Sequence, residues 1–261
     1  MESVKSQLKL IREKRPVIQS ITNPVTVNDC ANVLLAVGAS PIMAHHIKEV
    51  DEVQRRASGL VVNLGATDDY ESILLAVKAA NETNHPVVLD PVGVATSTYR
   101  REFALRLLSD CHIDCIRGNY LETLALAQGF VTGNGLDSFE EFTKDKIENY
   151  VGIMQEFSKT RNTLIVGSGE KDYLIDATEI CAVESGDPIM KHVTGMGCMY
   201  TEVVCAFLSE ENSLRSANNA AKLYGLCGEM AAEKTKTLGT IAFRNQFINE
   251  ISLLGCLAYD A

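Results

Sequence analysis

The chain of 261 residues is 46% hydrophobic and 22% charged, as expected for a globular protein that buries a sizeable core. Its formal net charge of −10 argues against nucleic acid or an anionic membrane surface as a partner. No apolar run approaches the roughly 20 residues that a membrane-spanning helix needs. The N-terminal residues also lack the apolar core of a secretion signal, so we expect the eight cysteines to be reduced thiols of a cytoplasmic protein.

Short apolar runs alternate with helical patterns along the chain. After an amphipathic N-terminal helix, the predicted strands are Pro16–Ile21, Ser40–Ala44, Leu60–Gly65, Val87–Gly93, Cys115–Gly118, Thr163–Gly169, and a hairpin of Asp172–Ile175 and Glu179–Val183. The predicted helices are Val27–Val37 with Gly38 as its C-terminal cap, Val50–Ser58, Asp68–Asn84 with an aspartate cap, Ser97–Ser109, Asn119–Ala127, Gly152–Lys159, a helix after the glycines at 195 and 197, Leu214–Ala232, and Phe243–Leu254.

Repeated strand–helix units of this kind predict an α/β fold, in which a mostly parallel sheet is covered by helices on both faces. No proline- or serine-rich linker interrupts the pattern, so we expect a single domain over residues 1–261. The polar, glycine-containing residues 130–150 are the predicted mobile excursion from this domain.

Glycine and polar residues collect at the predicted carboxyl ends of the strands. They are Gly65, Asp90, residues 117–119, residues 167–169 and residues 194–198. Because ligands bind beyond the carboxyl ends of parallel strands, these residues predict an active site at one edge of the sheet.

The segment 193–198, Val-Thr-Gly-Met-Gly-Cys, precedes a run with Met199, Val203 and Phe207 at helical spacing. Glycines let a ligand approach the backbone, and the first N–H groups of a helix bind anions, so this loop is a candidate phosphate site. By spacing alone, a tight strand-to-helix loop is an equally good interpretation. Cys198 favours the phosphate site, because a thiol at a helix N-terminus should have a lowered pKa and can accept a proton.

One acid and one arginine at predicted strand ends, and a second acid in the first turn of a predicted helix, suit a metal and a phosphate. Asp90 and Glu122 are candidate magnesium ligands, since one or two carboxylates beside phosphates suffice for this ion. Locally, a turn acid before a proline explains Asp90, and a capping box with Asn119 explains Glu122. Arg117 is either a surface arginine or a phosphate fork.

Familiar phosphate and metal motifs are absent from the sequence. It has neither a G-x-x-x-x-G-K-[ST] loop nor a G-x-G-x-x-G fingerprint. Cys111, His112 and Cys115 do not form a C-x-x-C pair and are interpreted as apolar thiols near a helix end.

Five segments, taken together, resemble the hydroxyethylthiazole kinase family. They are residues 20–23 (Ser-Ile-Thr-Asn), 38–44 (Gly-Ala-Ser-Pro-Ile-Met-Ala), 88–93 (Val-Leu-Asp-Pro-Val-Gly), 116–122 (Ile-Arg-Gly-Asn-x-x-Glu) and 193–198. The resemblance runs in order over nearly the whole chain. It implies a ribokinase-like three-layer sandwich without a separate lid domain. It also implies transfer of phosphate from ATP, with magnesium, to 4-methyl-5-(2-hydroxyethyl)thiazole in thiamine biosynthesis or salvage.

The resemblance also implies roles for individual residues. It makes Asn23, Met43 and Gly195 contacts of the thiazole. It makes Arg117, Asn119, Ser168 and Thr194 contacts of ATP, with Asp90 and Glu122 serving magnesium. Gly195, Gly197 and Cys198 form the loop at which transfer occurs, and Cys198 stands where most ribokinase-like enzymes have an aspartate base.

Three positions depart from the family pattern. Pro24 follows Asn23 where a second asparagine is common, and Met196 replaces the small residue usual between the two glycines. Ser168 stands where threonine is usual and keeps the hydroxyl.

The same sequence leaves two alternative functions open. A sibling on the same fold, such as a hydroxymethylpyrimidine kinase or a hydrate dehydratase, would keep the glycine loop, as would a non-catalytic nucleotide-binding protein.

The resemblance implies a homotrimer with active sites at subunit interfaces. The Asn23 turn and the segment Ser40–Ala44 are candidates for the shared wall, and residues 130–150 are the alternative cover within one chain.

Overall fold

The computed structural model describes residues 1–128 and 144–254. Within these ranges the strands are β1 (Val17–Ile21), β2 (Ser40–Ile42), β3 (Gly59–Asn63), β4 (Val87–Asp90), β5 (Cys115–Asn119), β6 (Leu164–Ser168), β7 (Asp172–Ile175) and β8 (Ile180–Val183). The helices are α1 (Glu2–Lys14), α2 (Val27–Val37), α3 (Val50–Gln54), α4 (Tyr70–Thr83), α5 (Thr98–Asp110), α6 (Tyr120–Gln128), α7 (Lys144–Arg161), α8 (Met196–Leu208), α9 (Leu214–Lys234) and α10 (Thr240–Leu253). A short 3₁₀ helix, Pro188–His192, precedes α8.

All eight strands form one sheet in the order β2-β1-β3-β4-β5-β6-β7-β8. Pairing is parallel from β2 to β6 and antiparallel for β7 and β8. The chain leaves β1 first toward β2 and then returns to the other side of β1 to form β3. This reversal is a switch point of the kind at which α/β sheets bind ligands.

Each face of the sheet carries its own hydrophobic core. One core joins alternate strand residues such as Ile18, Val61 and Val88 to apolar residues of α1, α2, α8, α9 and α10. The other core joins the intervening strand residues, such as Leu60 and Leu89, to α4, α5, α6 and α7. The fold is therefore a mostly parallel sheet between two helical layers, as the sequence predicts.

Helix α8 lies at the centre of the first core. Every residue from Met199 to Leu208 is buried, which is the pattern of a helix surrounded on all sides. The helix packs on β1, β3 and β4 and against α1, α2 and α9. This burial fixes the position of its first turn, where the glycine loop lies.

Helix α1 docks on elements from the far end of the chain. The buried Gln7 amide donates to the Phe207 carbonyl (3.1 Å) and to Ser216 Oγ (2.6 Å), and it accepts from Asn219 Nδ2 (2.8 Å). These bonds satisfy a polar group that would be costly to bury alone.

Most predicted elements are confirmed, with changes at their ends. Gly38 caps α2 with φ of 102°, as predicted. Helix α4 begins at Tyr70 after Asp69, and its N-cap side chain makes no capping hydrogen bond, so the aspartate cap is wrong. Residues 144–150 belong to α7, so that part of the predicted excursion is also wrong. The rest of that prediction, residues 130–143, lies outside the described residues.

Two further observations bear on the protein's class. Among the residues described, no helix has both the length and the apolar character to cross a membrane. The seven cysteines within the same ranges are free thiols, as expected.

Candidate active site

The carboxyl ends of β1, β3 and β4 meet the first turn of α8 at the switch point of the sheet. Asn63 ends β3 and pairs in register with Asp90, which ends β4. Asn23 follows β1, and Cys198 lies in the first turn of α8. Four polar residues separated by up to 175 positions are thus brought into contact.

A hydrogen-bond network joins these four side chains. Asn23 Nδ2 and Asn63 Nδ2 both donate to Cys198 Sγ, at 3.4 and 3.3 Å. Asn63 Nδ2 also donates to Asp90 Oδ2 (2.9 Å), and Asn23 Nδ2 donates to Asn63 Oδ1 (3.3 Å). The thiol is therefore an acceptor for two amides and lies one side chain away from the carboxylate.

The pKa of Cys198 is opposite to the sequence-based expectation. Burial, reinforced by the negative charge of Asp90, raises the pKa of the thiol to about 11. The amide donor Asn23 and the charge of Arg117 oppose this rise without cancelling it. The predicted lowering at a helix N-terminus is wrong, because desolvation of the thiolate outweighs the helix dipole here.

The two glycines of the loop have different structural roles. Gly195 is the N-cap of α8 with φ of 90°, a conformation that side chains rarely adopt. Gly197 lies within the helix and is not among the glycines with positive φ. A Cβ at Gly197 would instead lie 2.8 Å from Arg117 Nη1. The glycine therefore admits the guanidinium beside the helix start.

The first turn of α8 presents backbone donors toward this edge of the sheet. Its first intrahelical bond runs from Met199 N to the Gly195 carbonyl (2.8 Å). The N–H groups of Met196, Gly197 and Cys198 precede that bond and have no partner within the helix. Such groups, at the positive end of the helix dipole, are suited to binding a phosphate.

Asp90 has one satisfied and one bare carboxylate oxygen. Oδ2 accepts from Asn63 and from Thr201 Oγ1 (3.1 Å), whereas Oδ1 is buried without a hydrogen-bond partner. Burial raises the pKa of Asp90 to about 7, against the opposing charge of Arg117. A buried bare carboxylate oxygen is costly unless a cation or a proton meets it.

Glu122 forms the capping box that the sequence allowed. Its Oε2 accepts from Asn119 N (3.0 Å), and Asn119 Oδ1 accepts from Glu122 N (2.8 Å). Its Oε1 accepts from Gly93 N (3.0 Å), which ties the loop after β4 to α6. Both carboxylate oxygens of Glu122 thus accept hydrogen bonds from backbone N–H groups.

Arg117 is a buried arginine in the middle of β5 rather than a surface residue. Its Nη2 donates to Ser168 Oγ (2.6 Å), and its guanidinium lies 4.8 Å from the centroid of the Tyr200 ring. Its Nε is buried without a hydrogen-bond partner. An arginine held this way keeps donors available for a phosphate in a fixed orientation.

The remaining candidates lie around this centre. Met43 follows β2 and is half-buried, next to Ala44, whose carbonyl accepts from Gln19 Nε2 (3.0 Å). Thr194 precedes α8 and is exposed. The structure brings Asn23, Asp90 and Cys198 into one network, and the hydrogen bonds of that network do not include Met43 or Thr194.

Sequence reasoning missed Asn63, Tyr200 and Thr201. Asn63 ends an otherwise apolar strand, beside two other strand-end candidates, and this position was the available signal. Tyr200 and Thr201 lie inside an apolar helical run, where nothing in the spacing distinguishes them from core residues.

Comparison with known proteins decides the family. The model of the hydroxyethylthiazole kinase family matches residues 8–255. The chain belongs to the hydroxyethylthiazole kinase family. It is 40% identical over 253 residues to the hydroxyethylthiazole kinase of Clostridium tetani, covering 96% of this chain and 92% of that protein. The resemblance inferred from the motifs is thus confirmed.

Solved structures support the same assignment. The structure of the hydroxyethylthiazole kinase protein from Pyrococcus horikoshii OT3 superposes with a TM-score of 0.86 at 31% identity, covering 97% of this chain and 94% of that one. A ribokinase-like superfamily protein from Enterococcus faecalis has a TM-score of 0.62 at 13% identity over 95% and 88% of the two chains, which shows the shared fold. The chain is therefore a kinase of ribokinase-like fold, with ATP and a small molecule as its substrates.

Proposed function

We propose that this protein transfers the γ-phosphoryl group of ATP to the primary hydroxyl of 4-methyl-5-(2-hydroxyethyl)thiazole, in thiamine biosynthesis or salvage. The observation that carries the proposal is the meeting of the α8 N-terminus, Asp90 and Cys198 at the switch point of the sheet. Family membership supports the substrate, since the relatives bear the name of this reaction. The whole chain, 1–261, acts as one domain in this proposal.

Phosphoryl transfer of this kind depends mainly on positioning and on stabilising negative charge. The N–H groups of Gly195, Gly197 and Cys198 hold the charge that develops on the transferred group. Arg117 and Ser168 bind the nucleotide phosphates, with Asn119 and Thr194 as further ATP contacts. Asn23, Met43 and Gly195 contact the thiazole alcohol and orient its hydroxyl for attack.

The donor set at Asp90 fits a magnesium ion. Its Oδ1 is a buried, bare, hard oxygen ligand, and Glu122 lies near enough to affect its charge. Among residues 1–128 and 144–254, no three acidic, histidine or cysteine side chains cluster as a metal cage, so water and phosphate oxygens would supply the remaining ligands. When bound, Mg²⁺ neutralises charge on the phosphoryl oxygens.

Cys198 has a secondary role as proton acceptor in this mechanism. With a pKa of about 11, the thiol is mostly protonated at neutral pH, and two amides occupy its sulfur. A loose transition state asks little of a base, because the hydroxyl loses its proton late. The thiol therefore contributes mainly by shaping the position of the attacking oxygen.

A homotrimer with sites at the subunit interfaces is also proposed. Val25 in the Asn23 turn is 73% exposed, and Ile42 on the edge strand β2 and Ile47 beyond it are 40% and 42% exposed. Apolar side chains on an edge strand invite pairing with another chain. Along the chain they lie within a few residues of Asn23 and Met43, so a neighbouring subunit that covers them would also shield these proposed thiazole contacts from water.

A substrate panel tests the proposed reaction. Purified protein is incubated with ATP and magnesium together with the thiazole alcohol, with a hydroxymethylpyrimidine, or with no acceptor, and products are identified by mass. We expect phosphorylated thiazole alcohol and little ATP consumption without it. A parallel preparation of Arg117→Ala controls for contaminating kinases. Preferred phosphorylation of the pyrimidine, or ATP consumption that ignores the acceptor, would contradict the proposal.

A further inference from the structure

Asn63 is one of the three residues at the site, with Tyr200 and Thr201, that no motif and no family resemblance singled out. It is 1% exposed, ends β3 and stands in register beside Asp90 on β4. Its side chain points to the helix α8 side of the sheet, where it contacts Cys198. A polar side chain this deeply buried must have its hydrogen bonds satisfied within the protein.

The Asn63 amide is hydrogen-bonded at every position it offers. Its Nδ2 donates to Asp90 Oδ2 and to Cys198 Sγ, which uses both amide hydrogens. Its Oδ1 accepts from Gly65 N (2.8 Å) and from Asn23 Nδ2 (3.3 Å). Since a backbone N–H can only donate, the bond from Gly65 fixes which end of the amide is the oxygen.

The two ends of the amide have separable functions. The oxygen holds the turn after β3, which is a structural task. The NH₂ group holds the Asp90 carboxylate and the Cys198 thiol at fixed distances from one another. Together with Thr201, it occupies Oδ2 of Asp90 and so leaves Oδ1 as the carboxylate oxygen without a hydrogen bond.

We propose that Asn63 is a positioning residue for phosphoryl transfer, whose NH₂ group locks Asp90 and Cys198 into one arrangement and selects the Asp90 oxygen that meets the reactants. This inference rests on the proposed kinase reaction for its effect on turnover. The alternative is that Asn63 only stabilises the turn at Gly65. The two readings differ in which end of the amide carries the function.

Asn63→Asp separates the two ends. Aspartate has the same size and keeps an acceptor for Gly65 N and Asn23 Nδ2. Ionised, it donates nothing, and if it shares a proton with Asp90 it donates a single hydrogen bond, so it cannot hold both Asp90 and Cys198 as the NH₂ group does. Asn63→Leu, of similar volume, removes both ends. Gln54→Glu is the matched control, because Gln54 is a fully buried amide on α3 that bonds to His85, outside the site.

Three measurements are made on each variant. Steady-state kinetics give kcat and KM, calorimetry gives the affinity for ATP, and mass spectrometry gives the rate at which iodoacetamide alkylates Cys198 at one fixed pH. For Asn63→Asp we expect kcat to fall by about 10²-fold, the cost of a reactive group misplaced by roughly 1 Å. ATP affinity should stay unchanged, since Arg117 and Ser168 are untouched. Alkylation of Cys198 should slow several-fold, because an amide donor that stabilises the thiolate is lost.

The outcomes divide clearly. Loss of kcat and slowed alkylation in Asn63→Asp and Asn63→Leu, but not in Gln54→Glu, support the positioning role. Wild-type kcat and alkylation in a folded Asn63→Asp overturn it, as does an equal loss in Gln54→Glu. If the wild-type protein fails to phosphorylate the thiazole alcohol, the proposed reaction fails separately, and the alkylation rates still decide the role of Asn63.

Discussion

Substitution of Gly197 by alanine probes the meeting of α8 and Arg117. The new Cβ would lie 2.8 Å from Arg117 Nη1, so the guanidinium must retreat by about 0.6 Å to reach the 3.4 Å of ordinary contact. It cannot do so freely, because Ser168 holds it at 2.6 Å and the Tyr200 ring lies against it. Scaled from about 10²-fold per ångström of misplacement, we expect kcat/KM for ATP to fall about tenfold.

Stability should not fall in parallel, and this makes the test sharp. Gly197 has a helical backbone, where alanine is favoured over glycine by up to about 1 kcal/mol. That gain offsets the contact with Arg117, so the Tm should stay constant or rise by about 2 °C for a chain of this size. Gly152→Ala in α7 is the control, since a Cβ there meets nothing within 4 Å.

The assay is steady-state ADP release with saturating thiazole alcohol, with the Tm taken from circular dichroism. The control should gain stability and keep its activity. Wild-type kcat/KM in Gly197→Ala would refute the placement of Arg117 at the nucleotide phosphates. A loss of activity that follows a loss of Tm would refute it too, because unfolding would then explain the defect.

Three further substitutions test other parts of the structure. Cys198→Ala should lower turnover by about 10²-fold while ATP still binds. If the thiolate accepts the proton of the hydroxyl, the wild-type turnover rate must rise from about pH 7 to pH 9, because the pKa of the thiol is about 11. Unchanged turnover when chemistry limits the rate excludes the proton-acceptor role. Burial raises the pKa of Glu202 from 4.5 to about 8, so the wild-type protein should lose stability as pH rises through that window, whereas Glu202→Gln, which stays neutral, should show a flatter Tm–pH curve. Parallel curves for the two proteins contradict that assignment. Ile42→Glu should convert the proposed trimer into monomers, as measured by light scattering, and abolish thiazole binding. A fully active monomer would show that the site is shielded from water within one chain.

The order of the strands and helices could be predicted because burial imposes visible periods on the sequence. Helix α2 shows this well, since its apolar face and the glycine cap at Gly38 define both of its ends. Strand ends were less accurate: β3 and β4 end at Asn63 and Asp90, before the glycines at which they were predicted to end. The residues that follow the last hydrogen bond of the sheet are still largely apolar, so composition does not show where the strand ends.

Residues of the candidate site could be predicted where their place at the end of a strand or the start of a helix indicates a chemical role by itself. Asp90 and Cys198 stand at a strand end and a helix start, and the structure joins them through one amide. The joining residue, Asn63, could not be assigned a role because its partners depend on the register of β3 with β4 and on the docking of α8. The predicted lowering of the Cys198 pKa was wrong for a related reason. The start of the helix can be recognised in the sequence, but the burial of the thiol cannot.

The docking of α1 has a consequence for synthesis on the ribosome. Gln7 of this helix is synthesised before the partners of its amide, Phe207, Ser216 and Asn219, which follow 200 to 212 residues later. The contacts of the site also join distant parts of the sequence, because Asn23 contacts Cys198, which is synthesised 175 residues later. Closing such long segments is slow and entropically costly until the intervening strands have paired. A nascent chain that ends before α8 and α9 therefore has neither α1 docked through Gln7 nor the contact between Asn23 and Cys198 formed.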